Sequence, residues 1–327
     1  MPWRATRDPY AIWVSEVMLQ QTQVATVLDY YRRWMERFPT AEALAEATEE
    51  DALSVWQGLG YYRRCRLLQS GACQVAATGM PRNRDELLKV PGIGKYTAAA
   101  IASIAFEEPV PLVDGNVERV FARLEADPTT KPALNAKAWA WAEKVLATQS
   151  PGEWNQALME LGATVCTPRE PKCNACPVQA YCSAYKQQAV DEYPKKVAKQ
   201  KPTLMHHVTV IPVYKGRVGV RLIPEGQWWQ RMYEFARVDQ ADEQSLFEHL
   251  GNPWTQTVGH FSHAVTRYRI RMTVLMAMCE QRPEGFEMKT LAELGRLPLP
   301  SPQRKALQMA RPFMAESLSN AQGKGPG

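Results

Sequence analysis

The chain has 327 residues, 45% hydrophobic and 22% charged, enough for two domains that each bury a core. That balance excludes a disordered chain, and a net charge of +5 confines any nucleic-acid contact to a local basic patch. No apolar run approaches the ~20 residues a bilayer requires, and no signal-peptide pattern opens the sequence, so a membrane is not an expected partner. Four of the seven cysteines crowd into 166–182, and without an export signal that crowding favours metal over disulfides.

Apolar periodicity predicts a helix from Tyr10 to Leu28, then helices over 29–38, 40–47 and 49–57. Within the first, Trp13-Val14-Ser15-Glu16-Val17-Met18-Leu19 places one carboxylate in an apolar run. Burial there raises a carboxyl pKa, which suits a general acid near neutral pH; a solvated helix edge is the plainer reading of Glu16 alone. Gly58-Leu59-Gly60-Tyr61-Tyr62-Arg63-Arg64 then interrupts the helices. A Gly-flanked aromatic pair before arginines is either a stacking wedge beside phosphates or a loop aromatic that caps the core.

From Leu87 the pattern is a helix, a tight Pro91-Gly92-Ile93-Gly94 turn, and an Ala-rich helix that cannot pass Glu108-Pro109. Two glycines let the backbone turn sharply, and the helix starting there offers free N–H groups to a phosphate. Asp114 follows the apolar run Val110 to Val113 and precedes Asn116-Val117-Glu118-Arg119, so taken alone it is a helix N-cap. Helices over 133–148 and 153–165 come next. Cys166, Cys173, Cys176 and Cys182 then give the spacing C-x6-C-x2-C-x5-C. Four thiolates hold either tetrahedral zinc or a cubane cluster, and ligand type alone does not choose.

After Tyr185 the composition shifts to a basic connector, 186–202, with Lys195, Lys196, Lys199 and Lys201. It either touches a DNA backbone or is simply solvated. From Thr203 the period becomes two: 207–214 and 217–223 flank the hairpin signal Lys215-Gly216. A helix over 242–250, further strands through 257–279 and a closing helix over 301–315 complete an α+β domain at 203–316, followed by a disordered tail at 317–327. Arg267, Arg269 and Arg271 alternate and share a strand face, either to meet phosphates or to discourage strand pairing. In His260-Phe261-Ser262-His263, Ser262 can discriminate a base edge by hydrogen bonding; otherwise the tetrapeptide is an ordinary strand-end turn.

Taken together, Pro2-Trp3-Arg4, Gln20-Gln21-Thr22, the hairpin with Asp114 twenty residues past Gly94, the cysteine spacing and Phe261-Ser262-His263 resemble the MutY-type adenine DNA glycosylases of the endonuclease III superfamily. The resemblance runs from Trp3 to about Ala315. It implies a mainly α helix-hairpin-helix glycosylase domain at 1–185 with an iron–sulfur loop, plus an α+β Nudix-like 8-oxoguanine-recognition domain. It implies that Glu16 is the general acid and that Asp114, oriented by Asn116, stabilises an oxocarbenium ion or forms a transient covalent intermediate. Trp3, Arg4 and Glu160 would line the adenine pocket, Gln21 would enter the duplex, and Tyr61 would wedge beside the lesion. Phe261, Ser262 and His263 would contact 8-oxoguanine, Gly92, Ile93 and Gly94 would hold phosphate, and the four clustered cysteines would hold a 4Fe–4S cluster.

The resemblance also implies that Tyr96 belongs to the active site, where lyase-competent relatives carry a nucleophilic lysine. A phenol forms no Schiff base, so the implied reaction is hydrolysis without efficient strand cleavage. Lys95 is no substitute, because adjacent helix positions point about 100° apart. Glu118 replaces a lysine common in the family, a change expected to affect only side chemistry. The Nudix hydrolase signature is absent, so the second domain is expected to bind without hydrolysing pyrophosphate. The family also carries a helix before its Leu-Pro-Trp-Arg, where Met1 stands in the Leu place, so either the start is misassigned or that helix is missing. The implied partner is double-stranded DNA containing adenine opposite 8-oxoguanine or guanine, met by a monomer in a bacterial cytoplasm at the nucleoid. Two other readings stay open. One is a bifunctional lyase on oxidised pyrimidines, opposed by Tyr96; the other is a non-catalytic iron–sulfur DNA-binding protein, opposed by Glu16 and Asp114.

Overall fold

The computed structural model describes residues 1–195 and 201–322, with side chains to Met314 in the last helix. Lys196 and Lys199 of the expected connector, and 323–327 of the expected tail, lie outside the described residues. The chain divides into two compact units, Met1–Ala52 with Arg63–Lys199, and Leu53–Tyr62 with Gln200–Gly327. Grouping 53–62 with the second unit departs from the expected boundary near 185. Within that second unit the Gln57 amide donates to the carbonyls of Leu297 and Leu299 at 3.0 and 3.2 Å, a long-range contact that no local pattern reveals.

The helical part of the chain runs α1 (Pro9–Leu19), α2 (Val24–Arg37), α3 (Ala41–Glu46), α4 (Glu49–Trp56), α5 (Arg63–Thr78) and α6 (Arg84–Leu87). It continues with α7 (Lys95–Phe106), α8 (Gly115–Leu124), α9 (Ala133–Val145), α10 (Pro151–Glu160) and α11 (Ser183–Lys186). Asp8 starts α1 by accepting from the Tyr10 N–H at 3.0 Å, and Pro9 sits at the first turn, where its missing N–H costs nothing. Every residue from Tyr10 to Met18 is buried, and α1 packs on α2, α5 and α7. Trp13 and Trp34 are fully enclosed, and truncating such a ring to alanine costs about 3–5 kcal/mol.

The single helix expected from Tyr10 to Leu28 is broken. Gln21 takes a φ of 56° between α1 and α2, a left-handed turn that costs about 1–2 kcal/mol without glycine. Arg64 offsets that cost by donating to the carbonyls of Val17 at 2.8 Å, Met18 at 3.1 Å and Gln20, closing the end of α1. The turn between α6 and α7 requires glycine at 92. Its φ is 81°, and a Cβ there would lie 2.8 Å from Leu67 Cβ. Gly94 caps α7 with no side chain over the first N–H groups. The helix expected to run to Val165 instead widens into a π turn at Leu161–Val165.

The second unit contains β1 (Thr203–Tyr214), β2 (Arg217–Leu222), β3 (Tyr233–Glu234), β4 (Ala236–Asp239), α12 (Glu243–His249), β5 (Trp254–Val265) and β6 (Tyr268–Met278). It ends with β7 (Glu287–Lys289), α13 (Leu291–Leu294) and α14 (Ser301–Gln322). The strands form one mixed sheet in the order β3-β2-β1-β6-β5, with β4 on β1 and β7 on β2; β1 and β6 run parallel. Ile211, Met272, Val274 and Met276 pack under α14 residues on one face, while Val208, Val210, Leu275 and Ala277 pack with Leu246 of α12 on the other. α14 continues to Gln322, so the tail expected from 317 is helical in its described part. No described helix is long and apolar enough to cross a membrane.

Candidate active site

Several elements of the first unit, α1, α7, α8 and α10 among them, converge on one open cavity of about 520 Å³, within the ~300–1,000 Å³ range typical of ligand sites. Of the residues singled out in the sequence, Trp3, Arg4, Glu16, Gln21, Tyr96, Asp114, Asn116 and Glu160 all line it. Glu16 arrives on α1, is 4% exposed, and accepts a 2.5 Å hydrogen bond from the Tyr96 hydroxyl on α7. Burial raises the Glu16 pKa above the ordinary carboxyl value. The Tyr96 hydrogen bond and the Arg4 charge oppose the shift, and Asp114 adds to it. Burial and then the Glu16 charge push the Tyr96 phenol well above its usual value, so it stays a donor. Arg4 is held by a 2.5 Å bond to Gln156 on α10. Tyr96→Phe removes a bond that favours the Glu16 carboxylate, so the basic limb of a single-turnover pH–rate profile is expected to move to higher pH. An unmoved limb would show that the two groups are not coupled.

Asp114 does cap α8, as its position alone suggests, yet it also faces the cavity. Its Oδ1 accepts from the Asn116 and Val117 backbone N–H groups at 2.8 Å each, and its Oδ2 accepts from Asn116 Nδ2 at 2.7 Å. Arg119, one turn on, donates from Nη2 to Asn116 Oδ1 at 2.8 Å and to the Gly162 carbonyl at 2.7 Å, and from Nε to the Cys166 carbonyl at 2.7 Å. Sequence reasoning missed both Arg119 and Gly162. The available signals were the i,i+3 spacing from Asn116 and a glycine inside a helical run. A Cβ on Gly162 would lie 2.5 Å from Asn116 Cβ and 3.0 Å from its backbone. Gly162→Ala is therefore expected to destabilise the fold by about 1–3 kcal/mol and to slow chemistry by displacing Asn116; thermal unfolding and single-turnover rates check both. Glu118 turns away from the cavity, paired with Lys131 at 2.9 Å and Asn135 at 3.1 Å.

Cys166, Cys173, Cys176 and Cys182 line a second cavity beside Arg123. Arg123 donates to Cys166 Sγ at 3.3 Å and to the Thr167 carbonyl at 2.8 Å, while the Cys182 thiol donates back to the Arg123 carbonyl at 3.4 Å. Among the described residues no three His, Cys, Asp or Glu side chains converge on the position of one ion. The four thiols line one shared cavity, a soft donor set that fits an iron–sulfur cluster.

Gly92, Ile93 and Gly94 form the hairpin ahead of α7, with Ile93 buried. The other predicted residues belong to the second unit. Tyr61 is 55% exposed at a φ of 49°, whereas its neighbour Tyr62 is buried, so the aromatic pair divides. Phe261, Ser262 and His263 lie inside β5, within the strands expected over 257–279 and not in a strand-end turn. Phe261 and His263 face inward, their rings 5.9 Å apart, and Ser262 points to the exposed side. Burial, followed by nearby His207, Arg237 and Lys305, pushes the His263 pKa down to about 4, so the ring is neutral at physiological pH. Arg267 falls in the turn before β6, 5.1 Å over the Tyr268 ring, so only Arg269 and Arg271 share a strand face.

The helical unit with its glycine hairpin is that of a base-excision DNA repair protein. Residues 14–144 match the HhH-GPD superfamily of base excision DNA repair proteins, and 207–309 match the NUDIX domain. An adenine DNA glycosylase of Buchnera aphidicola subsp. Schizaphis graminum is 32% identical over 73% of this chain and 70% of its own length. The chain belongs to the adenine DNA glycosylase family. The mouse adenine DNA glycosylase is 50% identical over 57% of this chain, which spans 39% of that protein's length. A solved thermostable thymine-DNA glycosylase superposes with a TM-score of 0.52 at 29% identity, covering 57% of this chain and 88% of that one.

Proposed function

We propose that this chain is a monofunctional glycosylase that removes adenine mispaired with 8-oxoguanine, or guanine, from duplex DNA. The observation that carries the reading is the buried Glu16, hydrogen-bonded by Tyr96, facing the same cavity as Asp114. The adenine leaves the stack at a cost of a few kcal/mol, least at a mismatch. Glu16 protonates the imidazole side of the purine, so the electron pair of the breaking C–N bond leaves on a neutral base. Asp114, oriented by Asn116, stabilises the cationic sugar electrostatically or as a transient ester, and water completes the hydrolysis. Tyr96 supplies no amine, so the abasic strand stays intact.

Trp3, Arg4 and Glu160 border the base, Gln21 and Tyr61 hold the opened duplex, and the N–H groups after Gly92, Ile93 and Gly94 take a phosphate. Phe261, Ser262 and His263 serve the 8-oxoguanine opposite. The four clustered cysteines would hold a 4Fe–4S cluster, a redox-capable group whose ligation clamps the loop after α10. The domain plan is a glycosylase unit to 185, a connector, and a Nudix-like reader from 203; the protein works as a monomer in a bacterial cytoplasm. The test is a single-turnover assay on an adenine:8-oxoguanine duplex, with and without alkali. Strand breaks that appear only after alkali are expected. Breaks without alkali would favour a lyase, and none in either arm would favour a non-catalytic binder.

A further inference from the structure

The three adjacent strands β1, β6 and β5 contain no aspartate or glutamate, yet carry Arg269, Arg271 and several histidines. Which side chains share a face is decided by one extra residue in β5. Thr257 pairs with Leu275 but Gly259 pairs with Val274, so Val258 is a β-bulge. A regular ladder continued from Thr257 would set Ser262 opposite buried Ile270 and turn Phe261 and His263 outward. With the bulge, Ser262 lies opposite Arg271, and Phe261 joins the core under α14.

The resulting outer face is ordered in rows. Ser262, Arg271 and His206 form one row across β5, β6 and β1, and Ala264, Arg269 and Leu204 form the next; all six are exposed. α12 covers only the far end of this face. Neither arginine, nor Ser262, has a hydrogen-bond or ion-pair partner among the described residues. The guanidinium-bearing positions are ~6.8 Å apart along the strand and Ser262 is ~4.8 Å to the side. Long guanidinium side chains at that spacing reach successive phosphates of one strand.

We propose that this open sheet face docks the sugar–phosphate backbone of duplex DNA, Arg269 and Arg271 each taking a phosphate while Ser262 on the edge strand is left facing a base. This rests on the proposed reading of DNA as ligand and adds to it the residues that take the backbone beside Ser262. Binding to a short duplex is measured by fluorescence anisotropy across a salt series with the full chain. The Arg269→Ala/Arg271→Ala variant is expected to lower the log–log salt slope by about 2, near 1 per lost phosphate, with the 8-oxoguanine-to-guanine affinity ratio unchanged. The corresponding double lysine variant restores the slope, which separates lost charge from misfolding. Arg282→Ala, an exposed arginine beyond β6, leaves the slope where it was. Ser262→Ala should do the reverse of the arginine pair, changing the ratio and not the slope. A full slope in the double alanine variant, or a larger loss on phosphatidylserine vesicles than on the duplex, overturns the proposal. An unchanged ratio in Ser262→Ala with a lowered arginine slope removes the serine as reader and leaves backbone docking standing.

Discussion

Glu16→Gln is expected to bind the mispaired duplex while releasing adenine about 10²–10⁴-fold more slowly, the usual contribution of a positioned general acid. The substitution keeps the size of the side chain and an acceptor for Tyr96, so lost chemistry is separated from lost structure. The same group controls the pH dependence. In the proposed role Glu16 acts while protonated, and burial raises its pKa, so the wild-type rate is expected to fall as pH climbs through that raised value. Stability follows the same sign. A carboxyl raised in the folded state contributes stability that is fully present below its unfolded pKa of ~4.3 and is lost as pH rises through the folded one. Glutamine has nothing to ionise, so the melting temperature of Glu16→Gln should gain on wild type as pH increases. The free-energy gain is bounded by about 1.4 kcal/mol per pH unit. A parallel melting curve at every pH, or normal turnover, would remove Glu16 from the acid role.

Asp114→Asn carries the second large effect. Asparagine caps helices as well as aspartate does, so α8 keeps its start and the two backbone bonds on Oδ1 keep their acceptor. What disappears is the negative charge that the proposed mechanism sets against the sugar cation, and an orienting bond from Asn116 Nδ2 now meets an amide. Single-turnover release is expected to fall on the order of 10³-fold or more, about 4 kcal/mol of transition-state stabilisation, with duplex affinity retained. A loss of tenfold or less would mean that Asp114 is a cap and nothing further.

The helical first half and the alternating second half were visible as a change of period near Thr203, because periodicity follows from burying one face of an element. Local chemistry also announced the hairpin glycines, the Asp114 cap and the cysteine spacing. It misjudged the break at Gln21, whose left-handed turn depends on Arg64 reaching back from α5. It also could not show that 53–62 groups with the second unit, a division set by contacts between residues far apart in sequence.

The active-site pair illustrates the division most sharply. The chain order alone established a carboxyl in an apolar run and another at a helix start, for hydrophobic pattern and capping are properties of neighbours. Whether those two carboxyls meet is a matter of how α1, α7 and α8 pack, and only the folded chain brought Glu16, Tyr96 and Asp114 to one cavity. The same holds in the sheet. The sequence identified Ser262 and the alternating arginines, but a single bulged residue, invisible as a pattern, chose which face they share.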